Sequence, residues 1–122
     1  DLFVIRNAGN SAFDEAIASV EYGVSVLKTP LVMVMGHSGC GAVTAAMDDK
    51  PLTPSLERLI HPIEETISGS SNLAEAVRRN ALATASTLIQ RSSALAEAKS
   101  SGALKLVVGY FELTTGVVTL IK

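Results

Sequence analysis

His37 and Cys40 are the residues of this 122-residue chain whose types and spacing hold the most chemistry. They stand three apart in Gly36-His37-Ser38-Gly39-Cys40-Gly41, a glycine-rich turn. An imidazole nitrogen and a thiolate sulfur are both good zinc ligands. The glycines let the backbone turn sharply enough to bring both side chains to one point. Cys40 also stands at the start of an expected helix, whose partial positive charge favours the thiolate. Two other readings of the same residues stand beside the metal. Cys40 is a reactive thiol with His37 as its base, or the turn binds an anion at the helix start. A His-x-x-Cys pair alone is a weak signal, because zinc takes three or four protein ligands and this pair supplies two. The glycine spacing does not match a nucleotide-binding fingerprint. His61 lies beside Pro62, far along the chain from Cys40, and reads as a helix-surface or partly buried histidine. Glu21, Tyr22, Tyr110 and the Arg78-Arg79 pair read as packing, interface or solvated residues.

The elements that must position the turn follow from apolar spacing. Leu2-Phe3-Val4-Ile5 is β-branched and aromatic, ends at the turn cluster Asn7-Ala8-Gly9-Asn10, and predicts a strand. Ser11 with Asp14 has the spacing of a capping box. Phe13, Ala16, Ile17, Val20, Val24 and Leu27 then repeat at helical intervals until Pro30. Leu31-Val32-Met33-Val34-Met35 is apolar without alternation, which predicts a strand buried on both faces, as in a helix-covered parallel sheet. It runs directly into the His37–Cys40 turn, and Ala42 to Met47 opens a helix behind it. In open α/β folds ligands bind at the carboxyl ends of strands, which is where this turn falls. Thr53-Pro54 starts another helix, striped by Leu56, Leu59, Ile60, Ile63 and Ile67, with Pro62 expected to kink or shorten it. Asn72 with Glu75 starts a longer one, striped by Val77, Ala81, Leu88 and Leu95, with Ser92-Ser93 as a possible break and Gly102 at its close. Leu104–Phe111 and Val117–Ile121 read as strands. The short Thr114-Thr115-Gly116 turn between them favours an antiparallel hairpin. Strand, helix, strand, turn, helix is α/β grammar: a mainly parallel sheet flanked by helices, with a C-terminal antiparallel hairpin, in a single domain over residues 1–122.

Composition narrows the partners. Apolar residues make up 48% of the chain, which argues against disorder. The net charge of −2 carries no basic footprint for nucleic acid. No apolar run approaches the roughly 20 residues that a membrane helix needs. One cysteine admits no internal disulfide, which fits a reducing compartment such as the cytoplasm. The chain opens on Asp1-Leu2-Phe3 with no methionine or lead-in, so an upstream segment is expected, and the absence of a visible targeting segment decides nothing.

Several segments, in one order and over nearly the whole chain, resemble the β-class carbonic anhydrases. Leu2 to Asn10 resembles a core strand followed by that family's Arg-Asn-x-x-Asn turn. Ser19-Val20-Glu21-Tyr22-Gly23-Val24 resembles the next helix. Val34-Met35-Gly36-His37-Ser38-Gly39-Cys40-Gly41-Ala42-Val43 is very similar to the Gly-His-x-x-Cys-Gly zinc segment. Val107 to Leu113 with Gly116-Val117-Val118 resembles the C-terminal hairpin.

The resemblance implies a zinc enzyme that interconverts carbon dioxide and bicarbonate. It makes His37 and Cys40 two of the three protein ligands, and it implies a homo-oligomer, a dimer or larger, with the site near the subunit boundary. The family's remaining ligand belongs to a Cys-x-Asp-x-Arg segment, whose aspartate and arginine control the metal's fourth position. No such segment is present here, so the catalytic pair is unassigned in this chain. The strand carrying it is expected between the Leu2 and Leu31 strands. The chain is therefore expected to act as part of a longer or complemented enzyme. A non-catalytic binding or assembly protein on this scaffold is one rival. A hydrolase of a CO2-like molecule, carbonyl sulfide or carbon disulfide, is the other.

Overall fold

The structure, a computed structural model, describes residues 1–48 and 50–121. In chain order the elements are a short 3-10 turn at Ala8–Asn10, α1 (Asp14–Ser25), β1 (Leu31–His37), α2 (Gly41–Met47), α3 (Pro54–Ile67), α4 (Leu73–Arg91), α5 (Ser93–Ser100), β2 (Lys105–Glu112) and β3 (Val117–Ile121). The strands form one mixed sheet in the order β1-β2-β3. β1 and β2 run parallel, with Leu31 opposite Lys105 and His37 opposite Phe111. β2 and β3 are the expected antiparallel hairpin, with Val108 opposite Ile121 and Glu112 opposite Val117.

Local side-chain caps set the starts of α3, α4 and α5. The Thr53 hydroxyl accepts the Leu56 N–H at 3.3 Å and Pro54 opens α3, as the sequence predicts. The helix is not shortened at Pro62: it runs on to Ile67. Asn72 caps α4 by accepting the Glu75 N–H at 2.9 Å. The Glu75 carboxylate reaches one residue further back, to the Ser71 N–H and hydroxyl, and also meets Arg79. These donors lower the Glu75 pKa to about 2, the Ser71 hydroxyl first among them. At Ser92 the long helix breaks into α4 and α5. Its hydroxyl accepts the Leu95 N–H at 3.1 Å and donates to Glu21 at 2.5 Å, so one buried side chain ends the break and ties it to α1.

The start of α1 differs from expectation. Ser11 does not cap it; Phe13 stands at that position with no side-chain cap. Ser11 is held instead by Asn7, whose side-chain oxygen accepts the Ser11 N–H at 2.8 Å. Arg91, from the end of α4, reaches the Ala12 carbonyl and the Asp14 carboxylate and fixes the helix start from outside.

Two further expectations are corrected. Leu2–Ile5 joins no ladder, because a strand requires a hydrogen-bonded neighbour and β1 pairs with β2 alone. Phe3 instead lies on α1, its ring 6.1 Å from that of Tyr22, while Leu2 and Val4 are exposed. Nor is β1 buried on both faces. Val34 is buried, whereas Leu31, Met33 and Met35 are exposed. Side chains alternate along a strand, and the helices gather on one side. Val34 and Val108 pack with Ile17 of α1, Ala81, Ala85 and Leu88 of α4, and Leu95 of α5. A second cluster joins Tyr110 to Cys40, Val43 of α2, Ile60, Ile63 and Ile67 of α3, and Val77 of α4. The approach is close: a Cβ at Gly36 would stand 2.6 Å from a Val77 methyl.

Candidate functional site

β1 delivers His37 at its carboxyl end, and the turn that follows is held from three sides. Gly39 takes φ +66°, in the left-handed region where a side chain is strained. That geometry lets the chain reverse between His37 and the start of α2. Cys40 is buried among Val43, Ile60 and Ala76, and its carbonyl accepts both the N–H and the hydroxyl of Thr44 at 2.9 Å. Ser38 ties the turn to β2: its N–H donates to the Phe111 carbonyl at 2.9 Å, and its hydroxyl donates to Glu112 at 2.8 Å.

His37 Nδ1 lies 2.9 Å from the Ser38 carbonyl oxygen. A carbonyl oxygen only accepts, so this contact makes Nδ1 the protonated nitrogen of the neutral ring and leaves the lone pair on Nε2. A ligating histidine needs that arrangement, with its second nitrogen held by a hydrogen bond.

His37 and Cys40 line one cleft of about 420 Å³ with Arg6, Asn7, Ala8, Gly9, Gly41 and Ala42. The wall opposite the turn is the loop after Leu2–Ile5, and it too is pinned. Asn80 of α4 is buried and donates to the Gly9 carbonyl at 2.8 Å. Asn10 donates to the Met35 carbonyl of β1 at 3.3 Å. The His37–Cys40 turn and the turn cluster after Leu2–Ile5 thus line one space.

The donor set is chemically right for zinc and short in number. His37 and Cys40 both line the cleft, and thiolate sulfur with imidazole nitrogen is a donor pairing that suits zinc. Among the described residues, no group of three or more His, Cys, Asp or Glu is placed to hold a metal. His61 stays outside, on the exposed side of α3, with its two nitrogens near Glu64 and Glu65. Tyr110 is a packing residue, as expected, with the Arg78 guanidinium 4.2 Å above its ring.

Sequence reasoning missed Asn80, Ser38 and Glu112. Asn80 sits mid-helix with no local pattern to mark it. Ser38 was one of two positions left unassigned between His37 and Cys40. Glu112 lies 74 positions away and meets the turn only through the parallel register of β1 and β2.

Comparison with known proteins agrees with this geometry. The carbonic anhydrase family model matches residues 1–118. Carbonic anhydrase 2 of Mycobacterium tuberculosis is 34% identical over 125 residues, covering 95% of this chain and 60% of that protein. The carbonic anhydrase of Mycolicibacterium smegmatis is 33% identical over 129 residues, covering 98% and 63%. Among solved structures, the β-carbonic anhydrase CcaA superposes with a TM-score of 0.82 at 26% identity, covering all (100%) of this chain and 68% of that one. The Coccomyxa β-carbonic anhydrase in complex with acetazolamide has the same TM-score of 0.82 at 25% identity, covering 98% and 60%. The chain belongs to the β-class carbonic anhydrase family. It spans about 60% of the length of the mycobacterial relatives it matches.

Proposed function

We propose that this chain carries part of the active site of a zinc enzyme that reversibly hydrates carbon dioxide to bicarbonate, and that it works within a longer or complemented polypeptide. The observation that carries the reading is the placement of His37 and Cys40 on one cleft, with His37 Nδ1 committed to the Ser38 carbonyl. In this reading His37 Nε2 and Cys40 Sγ are two of the metal's ligands. Zinc, when bound, supplies Lewis acidity toward water and carbonyl oxygen near neutral pH. The chain's own residues orient the donors and shape the space. Ser38 holds the imidazole, the packing around Cys40 holds the sulfur, and the Arg6–Gly9 loop closes the opposite wall. A further ligand and the pair that manages the fourth position come from a Cys-x-Asp-x-Arg segment outside these residues.

The test joins metal analysis to stopped-flow CO2 hydration. The 122-residue chain with added zinc is expected to hydrate CO2 poorly or not at all. Supplying a Cys-x-Asp-x-Arg strand, fused upstream of Asp1, is expected to restore stoichiometric zinc and turnover. His37→Ala and Cys40→Ala are expected to abolish both. Activity of the bare chain comparable to an intact family member would mean that the catalytic set lies elsewhere.

The two-donor count favours a second reading, a non-catalytic binding or assembly protein on the same scaffold. A complemented chain that binds zinc yet leaves CO2 hydration at the background rate would establish it. Self-association into a homodimer or larger assembly belongs to the leading reading. It is supported by the exposed Met33, Met35 and Leu120 face, and by tetrameric β-carbonic anhydrases of Sordaria macrospora that share the fold at a TM-score of 0.80. Light scattering that finds a stable monomer at every concentration counts against it. The proposed compartment is a reducing one, the cytoplasm, resting on the free thiol Cys40. No helix among the described residues is long and apolar enough to cross a membrane.

A further inference from the structure

Ser38 accepts from His37 through its carbonyl oxygen, and its other polar groups are engaged as well. Its N–H continues the parallel ladder to Phe111 at 2.9 Å. Its hydroxyl donates to Glu112 Oε1 at 2.8 Å and accepts the Leu113 N–H at 2.9 Å. The same Oε1 accepts the Thr114 hydroxyl at 3.1 Å and, at the longer distance of 3.4 Å, the Thr114 N–H. Together these donors, the Ser38 hydroxyl first, hold the Glu112 carboxyl below its usual range. Neither Ser38 nor Glu112 lines the cleft. Their bonds act on the peptide between Ser38 and Gly39, whose carbonyl His37 uses. Gly39 brings no side chain to steady that peptide, and a Cβ built there would touch nothing within 4 Å.

We propose that Ser38, Glu112 and Thr114 form a positioning relay that holds the Ser38 carbonyl against His37 Nδ1, selecting the tautomer whose Nε2 lone pair is free for a metal. The proposal rests on the reading of His37 as a metal ligand. A neutral histidine in water favours the proton on Nε2, the wrong nitrogen for binding through that atom. The relay reverses that preference before any metal arrives and holds the ring in one orientation. Hydrogen-bond partners of this kind are worth roughly 10–100-fold in metal affinity. The hairpin thereby acts on the site without touching it: Glu112 closes β2, and Thr114 lies in the turn leading to β3.

The test reads the proton directly. The metal-free 122-residue chain, labelled with nitrogen-15 in histidine, is studied by long-range proton–nitrogen correlation at a pH where the ring is neutral. His61, on the exposed side of α3, is the internal reference. In the parent chain His37 is expected to carry its proton on Nδ1. Ser38→Ala and Glu112→Ala are expected to move the population toward Nε2–H. Ser38→Thr and Glu112→Gln, which keep a hydroxyl and an acceptor, are expected to restore Nδ1–H. If Glu112→Ala does not fold, Thr114→Val, in the exposed turn, carries the same test with a smaller shift. Cobalt or zinc affinity is expected to fall about 10–100-fold in the alanine variants and to recover in the conservative ones. A parent chain with Nε2–H dominant, or a tautomer unmoved by both Ser38→Ala and Glu112→Ala, overturns the relay. Because the tautomer is read without metal, a chain that responds as expected yet takes up no zinc even with the Cys-x-Asp-x-Arg strand fused upstream supports the relay and overturns the metal reading instead.

Discussion

On one side of the sheet Val34 and Val108 are 5% and 8% exposed, beneath α1, α4 and α5. On the other side Met33, Met35 and Leu120 are 43%, 41% and 57% exposed. These residues alternate along the same strands and are all apolar, so residue type does not separate them. What packs on each face does. Every helix that builds the site lies on the covered side. Cys40 is anchored there with Val43 and Ile60, and Gly36 lets β1 approach Val77. The turn is therefore framed by one half of the molecule, while the other half presents apolar surface.

The largest expected contrast comes from truncating one side chain on each face. Leu88→Ala, beneath the sheet, is expected to cost about 2–5 kcal/mol by urea unfolding. Met33→Ala in the isolated chain is expected to stay within about 0.5 kcal/mol. An equal loss at Met33 would break the comparison and mean that the open face is covered in solution. Next come two glycines on either side of His37. Gly36→Ala forces a Cβ into Val77 and is expected to cost about 1–3 kcal/mol. Gly39→Ala meets no atom, so its cost is the left-handed backbone alone, about 1 kcal/mol. Thermal unfolding of the pair separates crowding from backbone strain. Ser92→Ala removes the cap of α5 and a donor to Glu21, and about 1 kcal/mol is expected to go with it.

The smallest effect is that of pH. Glu75 is lowered from the usual 4.5 to about 2, and Glu112 is lowered as well. A carboxyl whose folded value lies below its unfolded value stabilises above the unfolded value. That contribution fades as pH falls toward the folded one. Stability is expected to decline from about pH 4.5 toward pH 2, and Glu75→Gln to flatten the slope. Both groups are solvent-exposed, so screening keeps the change small. A Tm that rises over this interval would contradict the assignment.

The site was half legible from residue types. His37, Cys40 and the glycine that reverses the chain between them announce themselves by chemistry and spacing. The opposite wall, Arg6 to Gly9, was visible only as a turn cluster and through the family resemblance. Asn80, which pins that wall, carries no sequence signal because a polar residue inside a helix has the same pattern whether it faces water or a buried carbonyl. β1 was misjudged for a related reason. An unbroken apolar run is compatible with burial on both faces, and Met33 and Met35 fit that pattern while remaining exposed.

What sequence alone determined here are features that rest on neighbours a few positions away. They include the Thr53 and Asn72 caps, the break at Ser92, the hairpin around Gly116 and the turn at Gly39, where local hydrogen bonds and backbone sterics decide the outcome. Tertiary structure decided the rest. Leu2–Ile5 has strand composition but no ladder, since pairing depends on a partner and not on propensity. Ser38 meets Glu112 across 74 positions, Asn80 meets Gly9 across 71, and Arg91 reaches Asp14 across 77. Such contacts form only when the β1–β2 register and the packing of α4 are already in place. Polar side chains chosen for those distant partners leave no periodicity in the chain that carries them.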